Sequence, residues 1–348
     1  MEENIYYRLP EMLLLWYQRH KRDLPWRADT DPYHVWVSEI MLQQTRVEAV
    51  KGYYARFLEA LPTIEALAHC KDDDLHKLWE GLGYYSRVRN LKKAAQVIMD
   101  CYGGVFPRDY KQVLSLPGIG EYTAGAICSI CFNMPTPAVD GNVLRVISRL
   151  TGEDTPIDSP KYKVLVRNRL AEIYPQSAGD FTQAIMELGA TVCGPNRKPE
   201  CHICPCSAVC QAFLLGRTEN IPVKLPKKQR KAEEHTVFIL SCGDRYAIEK
   251  RPDGGLLAQL WQFPDVTGML EVADALKLLE DMGLQPQEIR GIINRSHIFT
   301  HIEWKMQGIV CEVGNPGGSF VWKTAEEISR DIALPTAFRQ FWEVLGHV

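Results

Sequence analysis

The sequence lacks the features that would place it in a membrane or outside the cell. No stretch approaches the 18 or more uncharged apolar residues of a membrane span. Its start, Met1-Glu2-Glu3-Asn4, does not resemble a signal peptide. It also has no excess of positive charge, since 40 Lys and Arg stand against 43 Asp and Glu. We therefore expect a globular cytoplasmic protein with no membrane partner.

The charge is divided unevenly along the chain. Residues 1–230 carry 29 basic and 26 acidic side chains, a net charge of +3, whereas residues 231–348 carry 11 and 17, a net charge of −6. A chain of 348 residues is long enough for two or three domains. Local basic patches can bind phosphate whatever the total charge is, so the composition is compatible with nucleic-acid binding without indicating it.

A turn rich in Pro and Gly lies in the segment Leu116-Pro117-Gly118-Ile119-Gly120-Glu121-Tyr122. One apolar pattern of helical period ends before it and another begins after it, so the turn joins two helices. Because Gly118 and Gly120 lack side chains, the backbone N–H groups of the turn and of the next helix are open to an anion. A DNA phosphate fits this description; the alternative is an ordinary helical hairpin.

An aspartate downstream favours the functional interpretation. Asp140 lies 18 residues beyond Tyr122 and directly precedes Gly141-Asn142-Val143, which is typical of a helix start. This arrangement resembles the helix-hairpin-helix DNA glycosylases, which have a Gly/Pro-rich loop and a following aspartate at this spacing.

Helical periodicity extends over residues 5–27, where Pro25 stops the helix, and over residues 35–58. The second helix contains Glu39 among the apolar residues Ile40, Met41 and Leu42. Burial there would raise the pKa of the Glu39 carboxyl group and keep a proton available near neutral pH. The commoner alternative is a glutamate on a solvated helix surface.

Residues 63–100 predict two further helices around a turn that holds Tyr84, Tyr85, Arg87 and Arg89. In such a turn the rings can wedge between bases or stack on them, while the guanidinium groups bind phosphate. The alternative is a packed helix corner with one of the tyrosines in the core.

Four cysteines, Cys193, Cys201, Cys204 and Cys210, lie within 18 positions. Because the chain has no export signal, its eleven cysteines favour metal or cluster chemistry over disulfides. Four thiolates can hold one cubane iron–sulfur cluster or one tetrahedral zinc ion, and the spacing does not choose between them. Arg197 and Lys198 in the same loop are candidate phosphate contacts.

The four-cysteine loop resembles that of the endonuclease III and MutY branches, which hold a [4Fe–4S] cluster with the spacing Cys-x6-Cys-x2-Cys-x5-Cys. The resemblance therefore implies a [4Fe–4S] cluster here. The first gap in this chain has seven residues rather than six. Cys206 is expected not to be a ligand, because omitting it preserves the last two spacings.

A polar, Pro- and Lys-rich segment at residues 222–235 is typical of a linker. Beyond it, strands are predicted at 236–240 and 246–250, a helix at 268–282, and an antiparallel pair or one bent strand at 298–313, which indicates an α+β class. The run from Arg251 to Pro264 resembles the MutT-like (Nudix-fold) domains attached to MutY. Since the helix over 275–283 lacks the Arg-Glu-x-x-Glu-Glu set, we expect recognition without nucleotide hydrolysis.

Over roughly residues 5–345 the chain resembles the MutY-type adenine DNA glycosylases. The resemblance implies an all-α helix-hairpin-helix glycosylase domain with the iron–sulfur loop at 193–210 over residues 1–221, a linker at 222–235, and an α+β MutT/Nudix-like domain at 236–348 that recognises 8-oxoguanine. It also implies a monomer, associated with the nucleoid, whose partner is double-stranded DNA with A:8-oxoguanine or A:G mispairs.

The resemblance assigns chemistry to four residues. Adenine is a poor leaving group, so it must be protonated, and the cationic sugar then needs an anion nearby. Glu39 would protonate N7 of the extruded base and Asp140 would stabilise the oxocarbenium ion, while Tyr122 and Asn142 would position Asp140 and the water. Tyr122 replaces the Schiff-base lysine of the bifunctional enzymes, so simple base removal is expected.

The resemblance also names recognition residues. Trp26, Arg27, Leu42 and Glu187 would form the base pocket, Gln44 and Tyr84 would insert into the duplex during base flipping, and Phe299, Thr300 and His301 would read 8-oxoguanine. Gly118, Gly120, Arg87 and Arg89 would contact DNA phosphates.

Two other functions stay open. One is a bifunctional glycosylase/lyase of the endonuclease III type, acting on oxidised pyrimidines. The other is a non-enzymatic DNA-binding redox sensor that uses the cluster and the hairpin only. Release of adenine from a duplex, and borohydride trapping of a covalent adduct, would discriminate among the three.

Overall fold

The computed structural model describes residues 2–195, 197–226 and 229–346. Asn196 of the predicted cysteine loop, Lys227 and Lys228 of the predicted linker, and the predicted domain ends at residues 1 and 347–348 lie outside this range. Twelve helices are described before the first strand: α1 (Glu2–His20), α2 (Pro32–Leu42), α3 (Val47–Ala60), α4 (Ile64–His69), α5 (Asp72–Leu78), α6 (Ser86–Tyr102), α7 (Tyr110–Ser115), α8 (Glu121–Phe132), α9 (Gly141–Thr151), α10 (Pro160–Ala171), α11 (Ala178–Thr191) and α12 (Gln211–Leu214).

Seven strands and three helices follow in the described C-terminal residues. They are β1 (Lys231–Cys242), β2 (Arg245–Lys250), β3 (Trp261–Gln262), β4 (Asp265–Thr267), α13 (Val272–Asp281), β5 (Pro286–Ile298), β6 (Ile302–Val313), β7 (Val321–Thr324), α14 (Ala325–Asp331) and α15 (Thr336–Val344). Two short 3₁₀ turns, Pro25–Arg27 and Cys201–Ile203, complete the secondary structure of the described residues. The predicted fold class, a helical domain followed by an α+β domain, is confirmed.

The chain divides into two compact units. One, here called the helical unit, contains Met1–His69 and Arg89–Lys227. The other, the sheet unit, contains Lys228–Val348 together with Cys70–Val88, a segment from the middle of the helical sequence. The sheet unit is therefore discontinuous in sequence.

Helix ends in the helical unit follow local capping chemistry. The Asp31 side chain accepts from Tyr33 N at the start of α2, where Pro32 is the first helical residue. The Asp140 side chain caps α9 in the same way by accepting from Val143 N, and Gly152 ends that helix with a φ of +75°. The core of the unit forms where α1, α9 and α11 pack, with Leu9, Leu13 and other apolar side chains fully buried.

Two helical predictions were wrong in their boundaries. The expected helix over 35–58 is broken between Leu42 and Val47, where Gln44 has a φ of +59°. Residues 63–100 form three helices rather than two. The additional helix, α5, opens with Asp72, Asp73 and Asp74, whose charges favour a helix N-terminus but do not alter the apolar periodicity.

In the sheet unit, the strand order is β3-β2-β1-β6-β5, with β4 paired to β1 and β7 paired to β2. β1 runs parallel to β6, and the other pairs are antiparallel. Alternate β1 side chains face opposite sides: Val237 and Ile239 pack with α14 and α15, whereas Phe238 and Leu240 pack with α13. The sheet thus lies between helices on both faces.

Of the two predictions for 298–313, an antiparallel pair within the segment is wrong, because residues 302–313 form a single strand that pairs with β5 and β1. Phe299, Thr300 and His301 make the turn between the two strands, which Phe299 N closes by donating to Ile302 O at 2.8 Å. The helix predicted at 268–282 is α13, which begins four residues later at Val272.

Candidate active site

An open cavity lies in the helical unit, with a volume of about 860 Å³ when the solvent space at its mouth is included. It is lined by eight of the residues that the sequence nominated for chemistry or base binding: Trp26, Arg27, Glu39, Leu42, Tyr122, Asp140, Asn142 and Glu187. They come from α2, α8, α9, α11 and the first 3₁₀ turn. Residues that are as far as 161 positions apart in the chain therefore share one cavity.

Glu39 projects from α2 into this cavity and is only 7% exposed. Burial, which penalises the charged carboxylate, raises its pKa from the ordinary 4.5 to about 7. The hydrogen bond from Tyr122 and the charge of Arg27 lower this pKa, whereas the charge of Asp140 raises it. A carboxyl group of this kind can hold a proton near neutral pH and give it to a bound base.

Asp140 has a different environment at the start of α9. Its Oδ1 accepts from Val143 N at 2.8 Å and its Oδ2 accepts from Asn142 Nδ2 at 2.7 Å. Both donors belong to the first turn of α9, so the Asp140 carboxylate is held in one orientation at a helix N-terminus. One cavity therefore presents a buried carboxyl group suited to giving a proton and a second carboxyl group held in place by a helix N-terminus.

Tyr122 contacts Glu39 rather than Asp140. Its hydroxyl group donates to Glu39 Oε2 at 2.8 Å and lies 3.9 Å from the Met186 sulfur. Burial and the nearby carboxylates of Glu39 and Asp140 raise the pKa of Tyr122 well above its ordinary value, so it is a donor at neutral pH. Of the two residues predicted to position Asp140, Asn142 contacts it directly and Tyr122 orients the Glu39 carboxyl group.

Glu187 forms a charged cluster with Arg22 and Arg27 in the lining of the cavity. Its carboxylate is fully buried and accepts from Arg22 Nε at 2.7 Å and from Arg27 Nη2 at 2.8 Å. Burial alone would raise the pKa of Glu187, but the hydrogen bonds and charges of the two arginines outweigh it and lower the pKa. Arg22 was not among the predicted site residues, since nothing local marks its contact with a residue 165 positions away.

The polar contacts of Asn142 extend to a buried arginine, Arg145. Arg145, only 6% exposed, donates to Asn142 Oδ1 at 2.9 Å and to the Cys193 carbonyl at 2.9 Å. Arg149, on the next turn of α9, donates to the Cys193 Sγ at 3.3 Å. A chain of hydrogen bonds thus joins Asp140 to the first cysteine of the four-cysteine loop. The spacing of Arg145 and Arg149, one helical turn apart after Asp140, is the signal that could have indicated this.

The four predicted cysteine ligands Cys193, Cys201, Cys204 and Cys210 line a second cavity of about 380 Å³, whereas Cys206 is fully buried and does not line it. The donor chemistry of this lining fits the predicted cluster, because four thiols face one cavity and the Arg149 guanidinium lies beside one of them, where it can offset thiolate charge. In the described residues, no three Cys, His, Asp or Glu side chains are gathered closely enough to hold a single metal ion.

The turn between α7 and α8 contains the two predicted phosphate-binding glycines. Gly118 has a φ of +76°, and a Cβ there would lie 2.6 Å from the Asn90 Cβ, so this position requires glycine. Gly120 precedes the first residue of α8, and a Cβ there would meet nothing within 4 Å. The backbone at the start of α8 is therefore open on this side.

Tyr84, in the turn before α6, and Arg87, in the first turn of α6, belong to the sheet unit. The Arg87 guanidinium donates to the carbonyls of Leu82 and Gly83 and lies over the ring of Trp79. These two hydrogen bonds hold the turn together, and burial lowers the pKa of Arg87 to about 10. Burial also lowers the pKa of Arg89, in the helical unit.

The two residues predicted to insert into DNA both have left-handed backbone. Gln44 is exposed between α2 and α3, and Tyr84 is 48% exposed with a φ of +47°. Tyr85, in contrast, is buried in the core. The Tyr84 hydroxyl group shares a hydrogen bond of 3.1 Å with the Thr300 hydroxyl group.

The β5–β6 turn holds the predicted 8-oxoguanine readers. Phe299 packs against Trp304 with ring centroids 4.9 Å apart, which fixes one end of the turn. Thr300 and His301 are exposed. The turn therefore exposes two polar side chains, Thr300 and His301, next to the aromatic pair of Phe299 and Trp304.

No helix in the described range has the length and apolar character needed to cross a membrane.

Two family descriptions match the chain. Residues 37–176 match the HhH-GPD superfamily of base excision DNA repair proteins, and residues 235–344 match the NUDIX domain. The first match includes Glu39, Tyr122, Asp140 and Asn142. The second includes the β5–β6 turn.

Curated relatives resemble the chain over most of its length. An adenine DNA glycosylase of Arabidopsis thaliana is 37% identical over 88% of this chain, which spans 57% of that relative's length. The adenine DNA glycosylase of Homo sapiens is 34% identical over 95% of this chain and 73% of its own length. That of Buchnera aphidicola (subsp. Acyrthosiphon pisum) is 34% identical over 85% of this chain and 84% of its own.

Solved structures agree in fold. A thermostable thymine-DNA glycosylase has a TM-score of 0.54 and 28% identity, covering 62% of this chain and 97% of its own. A trapped endonuclease III–DNA covalent intermediate has a TM-score of 0.52 and 24% identity, covering 63% and 98%. The second likeness concerns the fold alone.

Proposed function

The chain belongs to the adenine DNA glycosylases, a family of base-excision repair enzymes, and we propose that it removes adenine mispaired with 8-oxoguanine or guanine in double-stranded DNA. The reaction is hydrolysis of the N-glycosidic bond. The observation that carries the proposal is the pairing, in one cavity, of a buried Glu39 with a raised pKa and an Asp140 held at a helix N-terminus.

Glu39 is the general acid of this proposal. It gives its proton to N7 of the extruded adenine, so that the electron pair of the breaking C1′–N9 bond is accepted by a base that is neutral when it leaves. The Tyr122 hydroxyl group, which donates to Glu39 Oε2, holds the Glu39 carboxyl group in one orientation.

Asp140 stabilises the positive charge that develops on the sugar. Water then adds to C1′ and loses its proton to the Glu39 carboxylate, which returns the acid to its starting state. Asn142 supports this step because its amide donates to Asp140 and leaves the carboxylate in a single rotamer. Trp26, Arg27, Leu42 and Glu187 surround the base in the same cavity.

Simple base removal is proposed, without strong lyase activity. A lyase of the bifunctional type needs an amine that forms a Schiff base with the sugar. Tyr122 stands at that position of the hairpin, and its hydroxyl group is occupied by Glu39.

Membership of this family suggests an iron–sulfur cluster, and we propose that Cys193, Cys201, Cys204 and Cys210 hold a [4Fe–4S] cluster. Such a cluster supplies cross-linking of the loop and one-electron chemistry when bound. What this chain contributes is the placement of four thiols around one cavity, and the Arg149 guanidinium beside the Cys193 sulfur.

The sheet unit reads the base opposite adenine through Phe299, Thr300 and His301 in this proposal, while Gln44 and Tyr84 enter the duplex. We propose a first domain over 1–221 and a second over 236–348, with a linker at 222–235 whose last five residues, 231–235, also begin β1. Residues 70–88 function with the second domain in this proposal. A monomer acting on the nucleoid in the cytoplasm is the expected working form.

Single-turnover base release tests the function. Duplexes with A opposite 8-oxoguanine, A opposite G, and oxidised pyrimidines are incubated with the full chain, and the released base is identified. We expect adenine, with no adduct trapped by borohydride. A redox sensor would release no base, and a bifunctional enzyme would release a pyrimidine and form the adduct.

Two variants test the assignment of Glu39 and Asp140. Glu39→Gln and Asp140→Asn should abolish adenine release while DNA binding persists, because each removes one half of the transition-state stabilisation. Glu48→Gln and Asp154→Asn are matched controls, since both change exposed carboxylates of the same unit. Normal turnover by either active-site variant would remove the mechanism.

A further inference from the structure

Lys77, near the C-terminal end of α5, binds this helix to the rest of the sheet unit. The Lys77 ammonium group donates to Ser329 O at 2.8 Å, to Ile332 O at 3.1 Å, and to Glu80 Oε2 at 2.7 Å. Ser329 lies in the last turn of α14 and Ile332 directly follows that helix. The last carbonyls of a helix lack partners within it, and a cation is favoured at this end. Two of the Lys77 hydrogen bonds therefore cap the C-terminal end of α14, and the third is made to Glu80.

Glu80 completes the attachment from the other side. Its Oε1 accepts from Leu334 N at 3.1 Å, while its Oε2 accepts from Lys77. The side chains of Lys77 and Glu80 are only 29% and 15% exposed. Two residues three positions apart thus satisfy three backbone groups, one in the last turn of α14 and two in the segment that follows it.

A second attachment lies at the first turn of α5. Asp73 Oδ1 accepts from Lys250 Nζ at 3.0 Å and from the Trp261 indole Nε1 at 3.1 Å. Lys250 is the last residue of β2 and Trp261 the first of β3, so this contact joins α5 to the edge of the sheet. Both ends of α5 are therefore bound to the rest of the sheet unit, which reads the opposite base in the proposed function.

The turn after α5 carries Tyr84, whose position is constrained by these contacts and by internal ones. Trp79 Nε1 donates to Gly83 O at 3.1 Å, and the Arg87 guanidinium donates to the same carbonyl at 3.2 Å. The turn then reaches the β5–β6 turn through the Tyr84–Thr300 hydrogen bond of 3.1 Å. A shift of α5 would move Tyr84 relative to Thr300.

We propose that Asp73, Lys77 and Glu80 are positioning residues for opposite-base recognition, which keep Tyr84 and Thr300 together as one reading surface. None of the three needs to touch DNA in this role. The proposal rests on the proposed function and adds that the preference for 8-oxoguanine over guanine depends on side chains that lie within the helical part of the sequence.

The test compares single-turnover adenine release opposite 8-oxoguanine and opposite guanine, using the full chain. Lys77→Met keeps the length of the side chain and removes every donor. We expect the ratio of the two rates to fall by about fivefold, since the loss of one set of hydrogen bonds is of that order. Lys51→Met is the matched control, because Lys51 forms the same (i, i+3) ion pair with Glu48 on an exposed surface, and it should leave the ratio unchanged.

Two milder variants guard against loss of folding. Glu80→Gln keeps an amide oxygen for Leu334 N but loses the ion pair, and Asp73→Asn keeps an acceptor for Trp261. Both should retain cooperative unfolding and lower the ratio by less than Lys77→Met does. The pH dependence of adenine release, which reports on Glu39, should not move in any of the three.

A double variant tests whether Lys77 changes the ratio of the two rates through the surface formed by Tyr84 and Thr300. If Lys77 acts through the reading surface, adding Lys77→Met to Thr300→Ala should lower the ratio no further than Thr300→Ala alone. Full additivity, or an unchanged ratio in folded Lys77→Met, would overturn the inference while leaving the proposed function intact. Absence of adenine release from the unaltered chain would instead count against the proposed function.

Discussion

The Tyr122 hydroxyl group donates to Glu39 Oε2 at 2.8 Å, and this single contact links the hairpin helix α8 to the carboxyl group on α2. The contact and burial have opposite effects on the pKa of Glu39. Burial raises this pKa and the donated hydrogen bond lowers it, and the pKa is about 7. Tyr122 therefore sets the pH range in which Glu39 can act as an acid.

The first prediction concerns that pH range. Adenine release should be constant at acidic pH and fall as pH rises through about 7, where Glu39 loses its proton. Because the Tyr122 hydrogen bond lowers the Glu39 pKa, Tyr122→Phe should move the midpoint to higher pH even if the maximal rate is reduced. Single-turnover rates over a pH series measure both effects.

Tyr174→Phe is the control for this prediction, since it removes a hydroxyl group that bonds Thr182 rather than a carboxyl group. Its midpoint should equal that of the unaltered chain. A midpoint that moves to lower pH in Tyr122→Phe would show that the contact does not act on Glu39 as described.

The second prediction is that a variant of Glu39 that loses activity is more stable than the unaltered chain. Between pH 4.5 and about 7 the folded chain retains a proton on Glu39 that the unfolded chain has released, so this group lowers the unfolding free energy as pH rises. Glu39→Gln should therefore stabilise the fold at pH 8 by about 1–3 kcal/mol. The gain should disappear near pH 4, which urea unfolding at the two pH values would show.

The third prediction concerns the Glu187 cluster. Glu187→Gln leaves Arg22 and Arg27 without their counter-charge beside a buried amide, which should destabilise the helical unit by about 2–3 kcal/mol. The midpoint of urea unfolding measures this loss. Asp154→Asn, which breaks the exposed pair with Arg217, should produce no measurable change.

The fourth prediction separates the cysteines. Protein purified without air should be brown with broad visible absorption, and serine at any one of Cys193, Cys201, Cys204 or Cys210 should lower its iron content. Cys206→Ala should retain the iron, because Cys206 is buried away from the cavity. Stoichiometric zinc without iron, or iron loss in Cys206→Ala alone, would contradict the assignment.

Much of the fold could be predicted from local patterns. Apolar residues at helical or strand period identified most elements, since burial of one face has a fixed spacing in each structure. The α2–α3 break escaped this reasoning, because the conformation of Gln44 leaves no mark on the periodicity. The parallel pairing of β6 with β1 escaped it too, because that pairing joins residues distant in the chain.

The sequence by itself determined the chemical inventory of the candidate site. Glu39 among apolar neighbours, Asp140 at a helix start, two glycines in a turn and four clustered cysteines are local features whose chemistry follows from residue type and spacing. The tertiary structure decided their partners: Tyr122 contacts Glu39, Arg22 joins Glu187, and Arg145 connects Asn142 to the cysteine loop. It also decided that residues 70–88 belong to the sheet unit. Hydrogen bonds such as that of Lys77 to Ser329, 252 positions away, depend on where the chain has folded back and carry no local signature.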